Sequence, residues 1–330
     1  MTLALVTGAA GFVGSAVVKK LLERGVEARA LARPTSDLRN LEGLPVEVVM
    51  GDLTDPASLA AACRGCDVVF HVAADYRLWV PDPDRMMAAN VQGTRLLIEA
   101  ALDAGVQRIV YTSSVAALAA MPNGEIADET TPITLENVVG TYKRSKYLAE
   151  REVDRLVEEK QAPVVTVNPA APVGPGDIKP TPTGRMILQA AKGAIPAYVD
   201  TGLNVVHVDD VAEGHILAWE RGRIGERYIL GSENLYLRDM LTLITEIAGA
   251  RPPRIRLNPD MLMPVAAISE LTARLLPNFE PMVTRDTLKM SKKTMFFHAD
   301  KAKRELGFAP REAREAISDA IRWFRTMNML

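Results

Sequence analysis

Leu3-Ala4-Leu5-Val6-Thr7-Gly8-Ala9-Ala10-Gly11-Phe12-Val13-Gly14 passes from an unbroken apolar run into three glycines at three-residue intervals. The apolar run predicts a buried strand over 3–7. A helix-patterned run from Ser15 to Arg24 follows and closes at Gly25. Strand, glycine turn and helix in that order form half of a dinucleotide-binding unit. Glycines let the backbone approach a pyrophosphate, and the helix N-terminus favours its charge. The G-x-x-G-x-x-G spacing differs from the G-x-G-x-x-G fingerprint, and a turn that merely turns is the plainer alternative.

The next strand, Val26–Ala32, ends at Arg33 where an acidic residue would bond a ribose 2′-hydroxyl. A guanidinium presents a planar fork of donors that suits a 2′-phosphate, so NADP is expected in preference to NAD, with NAD use left open. The alternation then repeats. Strands are expected at Val46–Met50, Asp67–Val72, Gln107–Thr112 and Pro163–Val167, with helices over about 55–64, 83–104 and beyond 140. This predicts an α/β fold, a Rossmann-type doubly wound parallel sheet with a smaller, mostly helical C-terminal substrate domain. Ligands of such sheets bind beyond the carboxyl ends of the strands, where Asp52, Ala73, Ser114 and Pro169 fall.

Beyond Asn168-Pro169 the chain becomes rich in proline and glycine, then mostly helical from about Leu237. The expected division is a cofactor-binding domain over 1–168 and 204–223, and a substrate-binding domain over 169–203 and 224–330. Asp209-Asp210 is expected to cap a helix. The apolar segment Met261–Leu276 is read as a buried or crevice-lining helix, with a partner or membrane surface as the alternative.

A formal net charge of −2 over 330 residues, without a basic run, argues against a nucleic-acid partner. No apolar run approaches the ~20 residues of a membrane span, and the first residues do not resemble a secretory signal, so the cytoplasm is expected. Cys63 and Cys66 are the two cysteines. A C-x-x-C pair without a second ligand pair or a thioredoxin-like context reads as small apolar filler, and no metal is expected.

The candidate chemistry lies in Tyr142-Lys143-Arg144-Ser145-Lys146, early in a predicted helix. Four-residue spacing puts Tyr142 and Lys146 on one face, about one turn apart. At ~4 Å and an effective dielectric of ~20, an ammonium attracts a phenolate by roughly 4 kcal/mol, about 3 pK units before desolvation opposes it. Such a pair could exchange a proton with an alcohol near neutral pH. Alone, a Tyr and a Lys at this spacing are usually solvated neighbours.

The order of motifs adds to that pair. Thr7-Gly8-x-x-Gly11-x-x-Gly14, Gly51-Asp52-Leu53, His71-Val72-Ala73-Ala74, Asn90, Ser113-Ser114, Tyr142-x-x-x-Lys146, Asn168-Pro169 and His207-Val208-Asp209-Asp210-Val211 together resemble the extended short-chain dehydrogenase/reductase superfamily. Ala74-Asp75-Tyr76-Arg77-Leu78-Trp79, Lys179 to Arg185 and Ala197 to Asn204 resemble its hopanoid-associated sugar epimerase group, itself similar to dihydroflavonol 4-reductases. The resemblance implies that Tyr142 exchanges the substrate proton, that Lys146 holds the nicotinamide ribose and depresses the Tyr142 pKa, and that Ser114 bonds the substrate oxygen. Ser113 is the competing hydroxyl. It further implies Gly8, Gly11, Phe12, Val13 and Gly14 around the pyrophosphate, Asp52 and Leu53 by the adenine, Ala73 and Ala74 along the channel, and Pro169 with Val173 at the nicotinamide amide. Asn90 is expected to tie helix and strand ends together.

Tyr76, Trp79, Arg185, Tyr198 and Leu203 are the candidate substrate contacts. Nucleotide-sugar enzymes of this superfamily often carry an arginine where this chain has Leu203, so a less charged small-molecule substrate is expected. The leading expectation is an NADP-dependent carbonyl reductase or alcohol dehydrogenase. A sugar epimerase with tightly bound NAD(P) is the alternative, and a cofactor-binding protein without turnover is a third. The resemblance also implies a homodimer formed through the helices beside the site.

Overall fold

Apolar β-rich runs and amphipathic helices alternate along the first two thirds of the chain. A computed structural model, which describes residues 2–77, 80, 82–275 and 284–330, turns that alternation into a layered sheet. In order come β1 (Leu3–Thr7), α1 (Phe12–Glu23), β2 (Glu27–Ala32), β3 (Glu47–Met50), α2 (Pro56–Cys63) and β4 (Val68–His71). Next are α3 (Pro83–Met87), α4 (Gly93–Asp103), β5 (Arg108–Thr112), α5 (Thr141–Lys160) and β6 (Val164–Pro169). With β10 (Arg227–Leu230) the strands form a seven-stranded sheet ordered β10-β6-β5-β4-β1-β2-β3. Each adjacent pair is parallel.

Parallel strands need both faces covered, and the core divides accordingly. On one face α1 contributes Val17, Val18 and Leu21, and α7 (Val208–Arg221) contributes Val211 and Ile216. On the other, Leu59 of α2, Leu97 and Ile98 of α4, and Val153 and Leu156 of α5 pack over Leu5, Val69 and Ile109. Each such aliphatic side chain, fully buried, stabilises the fold by about 1.5–3 kcal/mol. The strand order reverses between β1 and β4, so the loops after these strands diverge and open a crevice.

The smaller part comprises β7 (Ala171–Val173), α6 (Pro182–Ala191), β8 (Ala197–Val199), β9 (Gly202–His207), β11 (Glu233–Tyr236), α8 (Leu237–Ala248) and β12 (Ile255–Leu257). Helices α9 (Met263–Leu275), α10 (Arg285–Met290), α11 (Asp300–Leu306) and α12 (Ala313–Thr326) follow. Its strands form a three-stranded sheet, β11-β9-β7, and a two-stranded one, β12-β8. Ile187, Met240, Ile244, Ile317 and Phe324 anchor its core.

Four expectations are corrected. Residues 227–230, assigned to the substrate part, instead pair with β6 as the edge of the large sheet, because the apolar Tyr228-Ile229-Leu230 run is fully buried there. The single helix expected over 83–104 is interrupted by one π turn, Ala88–Gln92. Asn90, in that turn, is buried. Asp209-Asp210 does not cap α7: the His207 ring accepts the Asp209 amide at 3.0 Å, while Asp210 pairs with Arg311 at 2.8 Å. Finally, Met261, Val265, Ile268 and Leu271 are exposed, so the apolar stripe of α9 is not a buried one. No helix among the described residues is long and apolar enough to cross a membrane.

Candidate active site

The crevice beyond β1 and β4 is a cleft of about 1170 Å³. At its floor the glycine turn is tied by the Gly11 amide donating to the Gly8 carbonyl at 2.9 Å. Gly8 has φ +66° and lies so close to the β4 loop that a Cβ would stand 2.8 Å from Ala73 Cα. A Cβ on Gly14 would stand 2.1 Å from the Gly8 carbonyl oxygen. Both positions therefore exclude any side chain. Gly11 caps α1 without a side-chain hydrogen bond, and no acidic residue occupies the first turn. Backbone amides at the positive end of a helix, with bare glycine in front, fit a pyrophosphate.

The other expected cofactor residues border the same cleft: Phe12, Val13, Arg33, Asp52, Leu53, Ala73, Ala74 and Pro169. Arg33 is exposed at the end of β2 and makes no salt bridge among the described residues. Arg39 differs, since its guanidinium is taken by Asp37 at 2.7 Å. Asp52 accepts from the Thr54 hydroxyl at 2.6 Å and the Thr54 amide at 2.9 Å, which holds its carboxyl below the usual range. Val173 departs from expectation. Its side chain is buried in the core of the smaller part, because β7 turns that face toward Ile187 and Met240.

Ser113, Ser114, Tyr142 and Lys146 all line the cleft. Tyr142 and Lys146 project from α5, which begins after Gly140 at φ +90° and buries Ala149, Val153 and Leu156 against the sheet. The Lys146 ammonium donates to the Thr112 carbonyl at 2.7 Å, at the end of β5. Burial lowers its pKa to about 8, with the Glu150 carboxylate opposing the fall. The phenol of Tyr142 moves the other way from the expectation. Burial raises its pKa, and the hydrogen bond with Ser114 only partly offsets this. The Lys146 ammonium, bonded to the Thr112 carbonyl, is not among the groups that shift the phenol. Ser114 acts on the phenol of Tyr142, whereas Ser113, with its Oγ buried, acts on the phenol of Tyr111, so the two hydroxyls face different tyrosines.

Two hydrogen-bonded chains hold these groups from behind. Glu150, one turn beyond Lys146 and fully buried, pairs with Arg227 of β10 at 2.7 Å and accepts from Asn168 Nδ2 at 2.8 Å. The same Asn168 nitrogen donates to the Ser114 carbonyl at 3.1 Å. The second chain starts at Asn90, whose amide nitrogen donates to the Asp75 carbonyl and to Ser145 Oγ, each at 2.9 Å. Ser145 Oγ in turn donates to the Tyr142 carbonyl at 2.8 Å. Thr94 Oγ1 donates its one proton to the Asn90 carbonyl at 2.7 Å, so it can only accept from His71 Nε2 at 2.9 Å. His71 Nδ1 therefore accepts from Thr7 Oγ1 at 2.8 Å. The ring is neutral, in keeping with burial that lowers its pKa to about 3. Strand β1 below the glycine loop is thereby linked to the backbone of the Tyr142 helix.

Of the expected substrate contacts, Tyr76 and Leu203 line the cleft. Tyr198 packs against the core of the smaller part on β8, and Arg185 on α6 lies outside the cleft lining, acting on Tyr76 and Asp177 through its charge. Trp79 lies outside the described residues. Two residues missed in the sequence stand out here. Asn40 donates to the Ala10 carbonyl at 3.3 Å and the Gly176 carbonyl at 3.0 Å, strapping the glycine loop to the loop before α6. Asp177 accepts from the Thr181 amide and hydroxyl, yet burial pushes its carboxyl up to about 6. Cys63 and Cys66 are both buried, unpaired and remote in role, the former pushed up to about 12 by burial.

Comparison with known proteins gives the family and the fold. Residues 4–231 match the model of the NAD dependent epimerase/dehydratase family. A putative dihydroflavonol 4-reductase from Synechocystis sp. is 43% identical over 324 residues, 97% of this chain and 94% of that protein. Among solved structures, gox2253 is 59% identical with a TM-score of 0.90, covering 100% of both chains. PA4631, described as a nucleoside-diphosphate-sugar epimerase from Pseudomonas aeruginosa, is 27% identical with a TM-score of 0.83, over 100% of this chain and 99% of its own.

Proposed function

The chain belongs to the NAD-dependent epimerase/dehydratase family, with the extended short-chain dehydrogenase/reductase fold, and from that premise we propose an NADP-dependent carbonyl reductase with a Ser114-Tyr142-Lys146 site. The observation that carries the choice of reduction is the lining of the cleft. Met186, Leu203, Met290 and Met295 bring apolar, adaptable side chains to the part of the cleft contributed by the smaller part of the chain, among Thr183, Thr287 and Ser291, which suits an apolar carbonyl compound better than a sugar nucleotide.

When bound, the nicotinamide supplies the hydride. Tyr142 gives its proton to the carbonyl oxygen as that oxygen gains negative charge. The Ser114 hydroxyl orients the same oxygen and stabilises its charge. Lys146, cationic below about pH 8, holds the ribose and offsets the developing phenolate. The amides around Gly8, Gly11, Phe12, Val13 and Gly14 hold the pyrophosphate, with Asp52 and Leu53 at the adenine and Ala73, Ala74 and Pro169 along the channel. The second reading, sugar epimerisation, draws on the likeness to PA4631. Incubating the protein with NADPH and a panel of aldehydes and ketones separates the two. Stoichiometric loss of NADPH is expected. No loss with any carbonyl, together with interconversion of a nucleotide sugar, would replace reduction by epimerisation.

Cofactor choice has its own test. Arg33 is the exposed guanidinium at the ribose end of the cleft, without an ion pair among the described residues. Arg33→Ala should weaken NADP binding by about tenfold while changing NAD binding by less than about twofold. Fluorescence titration of both cofactors reads this directly, and equal losses would remove the 2′-phosphate assignment.

A further inference from the structure

Lys143 follows Tyr142 on α5 and lines the same cleft. Its half-buried ammonium has one hydrogen-bond partner among the described residues, the thioether sulfur of Met295 at 3.3 Å. No carboxylate pairs with it among those residues. The one other charged group acting on it is Lys293, of the same sign, and burial with that repulsion lowers its pKa to about 8. Burying an ammonium beside apolar side chains, with a weak sulfur acceptor and a second cation nearby, is costly unless an anion joins it.

We propose that Lys143 is an anion-binding residue of the substrate site and that the substrate is an apolar carbonyl compound carrying a carboxylate close to the reacting carbon. The side chains of Tyr142 and Lys143 enter one cleft from adjacent positions of α5, which puts an anion held by Lys143 within one small substrate's length of the Tyr142 hydroxyl. The methionines and Leu203 receive the apolar skeleton, and Lys143 fixes its orientation by one charge-assisted hydrogen bond. The carbonyl half of this statement rests on the reductase reading above, whereas the anion half rests on the surroundings of Lys143 alone.

The test is a calorimetric titration of the NADP⁺-loaded protein with phenylglyoxylate, with its methyl ester and with UDP. The wild type should bind the acid about tenfold or more tightly than the ester, a difference of ~1.4 kcal/mol in affinity. Lys143→Met should bring the two within about twofold, and Lys143→Arg should retain the preference. NADP⁺ affinity and the melting curve report whether each variant is folded, and the wild-type comparison needs no variant. Equal binding of acid and ester by the wild type, or a preference that persists in Lys143→Met, would overturn the proposal. Tighter binding of UDP than of the acid, lost in Lys143→Met, would also overturn it, by placing a diphosphate there. A preference for the acid without NADPH-dependent consumption of any carbonyl would sustain the anion site and remove the reductase reading.

Discussion

Tyr142→Phe should lower kcat by about 10³-fold or more, with NADP affinity changed by less than about twofold. The substitution keeps the aromatic ring and removes one hydroxyl. That hydroxyl lies in the cleft with Ser114 acting on it, and in the proposed mechanism it supplies the transferred proton. Lys146 is set back against the sheet by its bond to the Thr112 carbonyl at 2.7 Å, and in the proposed site its remaining N–H donors face the ribose and not the substrate oxygen. Ser114 alone, with an alcohol's high pKa, can orient the substrate oxygen but is a poor acid. Binding of cofactor depends on the glycine loop and the strand ends, which the phenol does not support. Single-turnover consumption of NADPH and a separate cofactor titration measure the two quantities. Retention of more than about a tenth of the activity would remove Tyr142 from the proton-transfer step, and loss of cofactor binding would make its role one of structure.

What could be read in the sequence was local. The apolar run into Gly8-x-x-Gly11-x-x-Gly14 carries its own geometry, because only glycine tolerates contacts of 2.8 Å and 2.1 Å from a notional Cβ to the backbone around it. Tyr142 and Lys146 share a helical face by spacing alone. The alternation of strands and helices made the parallel sheet legible up to β6. The edge strand β10 was not, because nothing local distinguishes Arg227–Leu230 from a strand of the smaller part; its neighbour, β6, lies far back in the chain. The direction of the Tyr142 shift is set by burial, which depends on segments remote from Tyr142 in sequence. Asn40 and Lys143 escaped for the same reason. Their significance lies in Gly176 and Met295, partners at separations of 136 and 152 residues. Glu150 is the one omission that spacing could have repaired, since it follows Lys146 by four and shares its inward face.

Glu150→Gln should both destabilise the protein and move its pH dependence. The wild-type carboxylate is fully buried between Arg227 at 2.7 Å and the Asn168 amide at 2.8 Å. Glutamine matches its shape but turns an NH₂ toward either a guanidinium or an amide donor, so one contact becomes donor against donor. Breaking one side of a buried ion pair costs about 3–5 kcal/mol, and the loss here should lie near 3, because Arg227 keeps Asp154 at 3.0 Å. Denaturant unfolding measures that change. The charge effect is separate. Burial lowers the Lys146 pKa to about 8 and Glu150 opposes this, so removing the carboxylate's charge lowers it further. Lys146 acts as a cation, which exists below its pKa and is lost as pH rises through it. The alkaline fall of kcat/KM should therefore move to lower pH in Glu150→Gln, by about one unit. Glu150→Asp retains the charge and, although it shortens the side chain and weakens the Arg227 contact, should leave that limb nearer its wild-type position. A limb that does not move in Glu150→Gln would mean that Lys146 is charged irrespective of Glu150, or that its charge is not needed for turnover. A limb that moves equally in both variants would assign the effect to distorted packing of α5 against β10.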